Sequence, residues 1–429
     1  MNLTMNERPT VLDLFAGCGG MSLGMEAAGF DIACSVEFDP VHSVVHHFNF
    51  PYGATICRDV TQVSVENIKE RMREKGYNRV DVIVGGPPCQ GFSHIGKRQL
   101  DDDRNKLVFE YVRLVDEIKP KYFVFENVPG IASGKHQSFL SELLTQFDRI
   151  GYTVTTPYKV LDASHFGVAQ ARKRLILIGS RKGLPQVKYP LPTHEKFTGA
   201  SDLFDAPRDE IVGASDAIAD FQQIPPLIGG DDGIELTFNR SLYSLNFSLT
   251  PSGLFAKCHT RYQDGKVYNH VGSKHTEDSI VRFKEAECGK NEVISRFYKL
   301  HPNLPCNTLR AGTNSDHGAH TAPRPIHYEH PRCISVREGA RLHSFPDWFQ
   351  FHRTIWHGFR EIGNAVAPLL GKAIGNEIIK VLGANVDKLP TYIIPKQDET
   401  LLTMTMTEAS NYWGVDRGII PVRKRLVNE

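Results

Sequence analysis

Two consecutive prolines set the first constraint on this chain. The run Val82-Ile83-Val84 is short, apolar and β-branched, which marks a buried strand, and Gly85-Gly86-Pro87-Pro88 ends it abruptly. Each proline fixes its own φ and removes a backbone donor, so the turn is stiff and no regular element runs through it. Cys89 follows at once, just past the carboxyl end of a strand, where open α/β sheets carry their chemistry. A lone cysteine is ordinarily a small buried hydrophobe. One held on a rigid Pro-Pro turn is a candidate nucleophile.

Strands that end in polar residues recur on both sides of this turn. Thr10 to Phe15 reads as a strand, and Ala16-Gly17-Cys18-Gly19-Gly20 as the turn into a helix closed by Gly29. A second strand, Ile32 to Val36, delivers Glu37 about twenty residues after the glycine turn, where a carboxylate binds ribose hydroxyls. The spacing is not G-x-G-x-x-G, so the turn alone says little; the acid on the next strand tips it towards cofactor binding. Ala54 to Cys57 is a third strand, and Asp59 beyond it is either an acceptor for an adenine amino group or a turn residue. Lys121 to Phe125 is another, ending in Glu126-Asn127. A β-like stretch from Tyr152 to Val160 leads to Gln170-Ala171-Arg172-Lys173-Arg174 and the strand Leu175 to Gly179, with Arg172 and Arg174 alternating onto one side. Helices are expected at 40–48, 107–118 and 139–150. In the first, His42 and His46 share a face; without a third ligand at metal spacing they read as part of a surface helix, and no metal site is expected.

Beyond about residue 185 the alternation breaks down. Short β-like segments dominate, with one helical stretch near Glu277 to Phe297, until helical order returns at Arg337 to Leu342 and Pro368 to Leu382. The organisation expected is a catalytic and cofactor-binding domain at 1–185 completed by 346–395, a separate irregular domain at 186–345, and an extension at 396–429. The net charge of +1 does not advertise a nucleic-acid binder. Local charge says more: 191–249 holds 3 Lys/Arg against 10 Asp/Glu, whereas 250–345 holds 14 against 9. A basic stretch of that kind suits a phosphate-facing surface or a solvated face. The eight cysteines form no C-x-x-C pair, which fits a reducing compartment better than disulfides or zinc. No run of 18 apolar residues occurs, so no membrane span is expected, and the chain reads as soluble and cytoplasmic.

Cys89, Glu126 and the two arginines suit covalent activation of a pyrimidine. A thiolate adds to an electron-poor carbon, a carboxyl group donates to a ring nitrogen, and an arginine binds a carbonyl oxygen. With these residues the sequence resembles the DNA (cytosine-5)-methyltransferases, in the compact prokaryotic form. The family's blocks appear in order: Asp13-Leu14-Phe15-Ala16-Gly17-Cys18-Gly19-Gly20, Glu37, Asp59-Val60, and Gly86-Pro87-Pro88-Cys89-Gln90-Gly91-Phe92-Ser93. Glu126-Asn127-Val128, Gln170 to Arg174, Ser335 to Leu342, and Gly363-Asn364-Ala365-Val366 follow. The match covers roughly 10–180 and 300–380, and so many separate motifs in order make it specific. Cys57-Arg58 departs from the smaller Gly-containing lead-in that the family often has before Asp59.

The resemblance implies an α/β, Rossmann-like sheet that binds S-adenosyl-L-methionine, with a smaller β-rich target-recognition domain in the insert. It implies Cys89 as nucleophile, Glu126 at N3 and the exocyclic amine, and Arg174 at O2 with Arg172 in support. Phe15, Gly17, Gly19, Gly20, Glu37, Phe38, Asp59, Val60, Pro88, Leu107, Asn364 and Val366 are implied around the cofactor. Double-stranded DNA is the implied partner, with Gln90, Ser93, Lys257, Arg261, Lys274 and Arg310 as candidate contacts. A restriction endonuclease acting on the same site is the implied functional counterpart, and a monomer is expected. Two alternatives stand beside this reading: a tRNA cytosine-5 methyltransferase of the same fold, disfavoured because the insert has no Cys-Phe-Thr tripeptide, and an inactive DNA-binding relative. A Rossmann-type oxidoreductase leaves Pro87-Pro88-Cys89 unexplained.

Overall fold

The computed structural model describes residues 8–88, 103–132, 134, 137–195, 209–235, 259–261, 264–312, 324–386 and 391–417. Among these, eight strands form one sheet: β1 (Thr10–Leu14), β2 (Asp31–Glu37), β3 (Ala54–Cys57), β4 (Val82–Gly85), β5 (Tyr122–Asn127), β6 (Tyr152–Val154), β7 (Lys159–Asp162) and β8 (Lys173–Arg181). The order is β3-β2-β1-β4-β5-β8-β6, with β7 also on β8. The first five strands are parallel; β8 runs antiparallel to β5, β6 and β7. β1 and β4 are buried along their whole length, as parallel strands covered on both faces must be.

Alternation along each strand divides the core in two. Val11, Val82, Val84, Val124, Ile176 and Ile178 face one side, with Met21, Leu23 and Met25 of α1 (Gly20–Ala28). Leu12, Leu14, Ile83, Phe123, Phe125 and Leu177 face the other, under α3 (Val65–Glu74), α4 (Asp103–Ile118) and α5 (Gln137–Arg149). Between them in sequence lies α2 (Pro40–Asn49), capped by the Asp39 carboxylate on the Val41 and His42 amides.

Past residue 185 come the two-residue strands β9 (His194–Glu195) and β10 (Asp209–Glu210), then α6 (Ala214–Ile218), β11 (His259–Arg261), α7 (Glu277–Glu285) and α8 (Val336–Leu342). The chain then returns through α9 (Ile355–Asn364) and α10 (Pro368–Leu382) to cover the sheet beside α1. That contact is backbone-close: a Cβ on Gly24 would fall 2.6 Å from the Pro368 carbonyl oxygen. β12 (Tyr392–Ile394) and α11 (Met406–Trp413) end the described chain. The sheet's first core cluster continues without a break into Val212, Phe221, Val271, Leu300 and Leu309 of the insert. Arg341, fully buried, ties insert to return segment by pairing with Asp220 at 3.1 Å and Asp347 at 2.6 Å.

Two expectations are corrected here. The helix foreseen from Glu277 to Phe297 stops at Glu285, because the following residues fold back on themselves: Glu292 N–H donates to the Phe297 carbonyl, and the Glu292 carboxylate takes the Ile294 and Ser295 amides. His42 and His46 are not on a surface helix but 3% and 1% exposed, since α1 and the sheet cover one side of α2 and the end of the chain covers another. His46 sits between Ser22 Oγ and Ser35 Oγ, 3.1 Å from each, and burial pushes its pKa down to about 3.

Candidate active site

The register brings the ends of four parallel strands level. Leu14 is paired with Val36 and with Gly85, and Gly85 with Phe125, so the next residue in each strand is Phe15, Glu37, Gly86 and Glu126. A cavity of about 770 Å³ opens along this row. Its walls come from the strand ends, from Arg172 and Arg174, from Arg310 and Gly312, and from Arg360 to Val366.

Glu37 organises one end. Its Oε2 accepts the Gly17 amide at 2.7 Å and its Oε1 the Asp39 amide at 2.9 Å, so each oxygen is fixed yet keeps a lone pair for a ligand. Gly17 meets Glu37 from a left-handed backbone (φ 56°) that glycine adopts without strain. Phe15 holds the same conformation (φ 59°) at the cavity wall, the sort of local strain that gathers at functional sites. Asp59 uses Oδ1 for the Thr61 amide and hydroxyl, 2.9 and 2.8 Å away, which turns Oδ2 to other partners. Phe38, Val60, Pro88, Leu107, Asn364 and Val366 also line the cavity. Two acids and an exposed aromatic at this spacing fit a nucleoside-bearing cofactor. Gly19 and Gly20 do not line the cavity: a side chain on Gly19 would strike the Phe50 ring, and one on Gly20 the Val366 carbonyl, so they serve close packing.

At the other end Arg174 Nε pairs with Glu126 Oε1 at 2.7 Å, both side chains retaining a little exposure. Arg174 Nη1 donates to the Lys173 carbonyl, leaving Nη2 for a further acceptor. Gly86 stands against this pair, where a Cβ would lie 2.5 Å from Glu126 Oε2. Asn127 Nδ2 donates to the Pro87 carbonyl at 3.0 Å, locking the Pro-Pro turn to the end of β5. Arg172 is used differently from Arg174. It is buried and donates to the Leu309 carbonyl at 3.0 Å and the Gly363 carbonyl at 2.8 Å, joining β8 to the insert and to the end of α9. Burial, with Arg174 close by, lowers its pKa to about 9. Its Nε has no partner among the described atoms.

Arg310, on the segment held by Arg172, is exposed in the cavity wall. Lys274 is exposed outside the cavity, and Arg261 belongs to β11. Cys89, Gln90, Ser93 and Lys257 lie outside the described residues. The structure adds residues to which sequence reasoning gave no role. Asp13 is buried in the wall, takes the Ser22 hydroxyl at 2.6 Å, and is pushed up to about 7 by burial. Arg360 reaches across from α9 to Asp39 at 2.6 Å. Asn127 and Asp13 were visible inside their motifs; nothing local marks Arg360, whose partner is 321 residues away.

Comparison with known proteins accounts for this arrangement. Residues 9–380 match the model of the family described as C-5 cytosine-specific DNA methylase. The chain is 46% identical over 426 residues to the Type II methyltransferase M.XorII of Xanthomonas oryzae pv. oryzae, covering 98% of this chain and 96% of that one. It is 30% identical to the Type II methyltransferase M1.HphI of Haemophilus parahaemolyticus, covering 87% of each. A crystal structure from E. coli, described as a DNA modification methyltransferase encoded within a prophage, superposes with a TM-score of 0.71 at 30% identity, covering 87% of this chain and 99% of that one. With the sheet, the cavity and these likenesses together, the chain belongs to the C-5 cytosine-specific DNA methylases: it is a DNA (cytosine-5)-methyltransferase that uses S-adenosyl-L-methionine.

Proposed function

We propose that this enzyme methylates C5 of a cytosine flipped out of a specific double-stranded DNA site, through a transient bond between Cys89 Sγ and C6. The observation that carries the reading is the Glu126–Arg174 pair, set in one cavity with Glu37 and Asp59 and flanked by the turn that ends at Pro88. When bound, S-adenosyl-L-methionine supplies an electrophilic methyl group on its sulfonium. The Cys89 thiolate adds to C6 and makes C5 nucleophilic; Glu126 binds N3 and the exocyclic amine and offsets the charge that develops on the ring. Arg174 offers Nη2 to O2 while Nε keeps hold of Glu126. After methylation a water or solvent-linked base removes the C5 proton and Cys89 is expelled. Flipping costs a few kcal/mol, offset by contacts in the pocket and to the DNA backbone.

Residues 186–345 are proposed as the part that reads the site. Gln90, Ser93, Lys257, Arg261, Lys274 and Arg310 are its candidate contacts, phosphate-positioning before base-reading. The Type II names of the relatives support a protective role beside a restriction endonuclease. The chain is proposed to act as a monomer. The test is transfer of labelled methyl from S-adenosyl-L-methionine to duplex DNA and to tRNA in parallel, with Cys89→Ala and Glu126→Gln. The expected result is label at C5 of cytosine in DNA, abolished by Cys89→Ala while DNA binding persists, and slowed by Glu126→Gln far more than cofactor binding weakens. Label in tRNA alone, or undiminished transfer by Cys89→Ala, refutes the proposal.

A further inference from the structure

The end of the chain, past the family match, is fastened to the helix behind the cofactor loop. α11 packs on α2, and together they bury Val41, Val44, Leu401 and Ala409, with Phe48, Met404, Met406 and Trp413 against them. This cluster is separate from both sheet cores, so among the described residues the outward face of α2 owes its cover to the extension. Trp413 Nε1 donates to the Pro40 carbonyl at 3.2 Å, and its ring meets His47 edge-on. The extension is itself tied down: the Leu402 carbonyl accepts the Arg353 amide at 2.9 Å, the Met404 carbonyl lies 3.0 Å from His352 Nε2, and Glu399 pairs with Arg353. Pro40 follows directly on Glu37, Phe38 and Asp39, and the Asp39 amide is bonded to the Glu37 carboxylate.

We propose that the extension is a brace for the cofactor loop, and that Trp413 is its positioning residue, fixing the first turn of α2 so that Glu37 and Phe38 meet S-adenosyl-L-methionine already in place. A contact of this kind acts on binding, because it removes the cost of ordering the loop when the cofactor arrives, and leaves the chemistry of the bound complex alone. The inference rests on the assignment of Glu37 to the cofactor site, and the controls separate the two.

The experiment uses the full chain and compares Trp413→Phe, Trp413→Ala and Glu37→Ala by titration calorimetry with S-adenosyl-L-methionine, by steady-state methylation of duplex DNA, by DNA affinity and by melting temperature. Trp413→Ala is expected to raise both Kd and KM for the cofactor about tenfold, the loss of one supporting hydrogen bond and its packing. Its kcat should stay within about twofold and its DNA affinity unchanged. Trp413→Phe, which keeps a ring and loses the N–H, should fall between, and it decides the matter if the alanine variant does not fold. A lower melting temperature with cofactor affinity intact overturns the brace, as does a fall in kcat with KM unchanged or a loss confined to DNA binding. If Glu37→Ala leaves cofactor affinity intact, the assignment of the site fails, whatever Trp413 does.

Discussion

Gly86→Ala is a one-methyl probe of Glu126, the carboxylate proposed to bind the target base. The added Cβ would lie 2.5 Å from Glu126 Oε2, where ordinary contact begins at 3.4 Å, so the carboxylate must retreat by about 1 Å. Gly86 has no left-handed φ, so the backbone accepts alanine, and the atom displaced is the tip of a flexible side chain. Stability should therefore change by less than about 1 kcal/mol. Activity should not be spared: a 1 Å misplacement of a reacting group costs about a hundredfold in rate, or roughly 2.7 kcal/mol. The assay is single-turnover methyl transfer at saturating cofactor and DNA, with cofactor Kd measured apart. The expected result is a rate down about a hundredfold with Kd unchanged. Because the effect passes through Glu126, Gly86→Ala made in Glu126→Gln should add little further loss. A rate within a few-fold of the parent, or full additivity in the double variant, refutes the reasoning.

Glu361 is buried, accepts the His352 amide at 3.1 Å, and has its pKa raised by burial from 4.5 to about 8. A raised carboxyl contributes stability below its unfolded pKa that is lost as pH rises through the folded one. Glu361→Gln should thus match the parent near pH 4.5 and gain on it by up to about 1.4 kcal/mol per pH unit towards pH 8, read by urea denaturation; a pH-independent difference refutes this. Arg341→Met leaves Asp220 and Asp347 buried without their shared partner and should cost about 3–5 kcal/mol, with partial recovery on adding Asp347→Asn. Calorimetric melting checks both. Exchanging residues 190–340 for those of a relative should move sequence specificity, read by methylation mapping; specificity that stays with the remainder refutes the recognition role.

The parallel half of the sheet was legible because its strands are uninterrupted apolar runs that stop at glycine, proline or acid, so Glu37, Asp59, Gly86 and Glu126 could be put at carboxyl edges from sequence. Their common level could not, since register is a relation between strands far apart in sequence. The histidines of α2 misled for a related reason: His46 looks solvated until Ser22 of α1 and Ser35 of β2 are set on either side of it, and His42 until Arg360 of α9 is brought onto Asp39 beside it. Alternation put Arg172 and Arg174 on one side, yet the carbonyls of Leu309 and Gly363 claim only the first. At Glu277 the helical composition ran past Glu285, but the backbone turns extended at Ala286 and the residues beyond form a separate turn closed by the Glu292 carboxylate, a contact with no periodic signature.

The cavity is walled by residues that precede 130, by Arg172, Arg174, Arg310 and Gly312, and by residues between 360 and 366. A chain leaving the ribosome therefore carries an unfinished cavity through most of its synthesis, and α1 waits with the face that α10 will cover still bare. The cavity proposed for the methyl donor closes only once residues 360–366 have emerged. A chain broken within the insert would lack the wall that Arg360 and residues 363–366 supply, and α1 would lack the cover of α10.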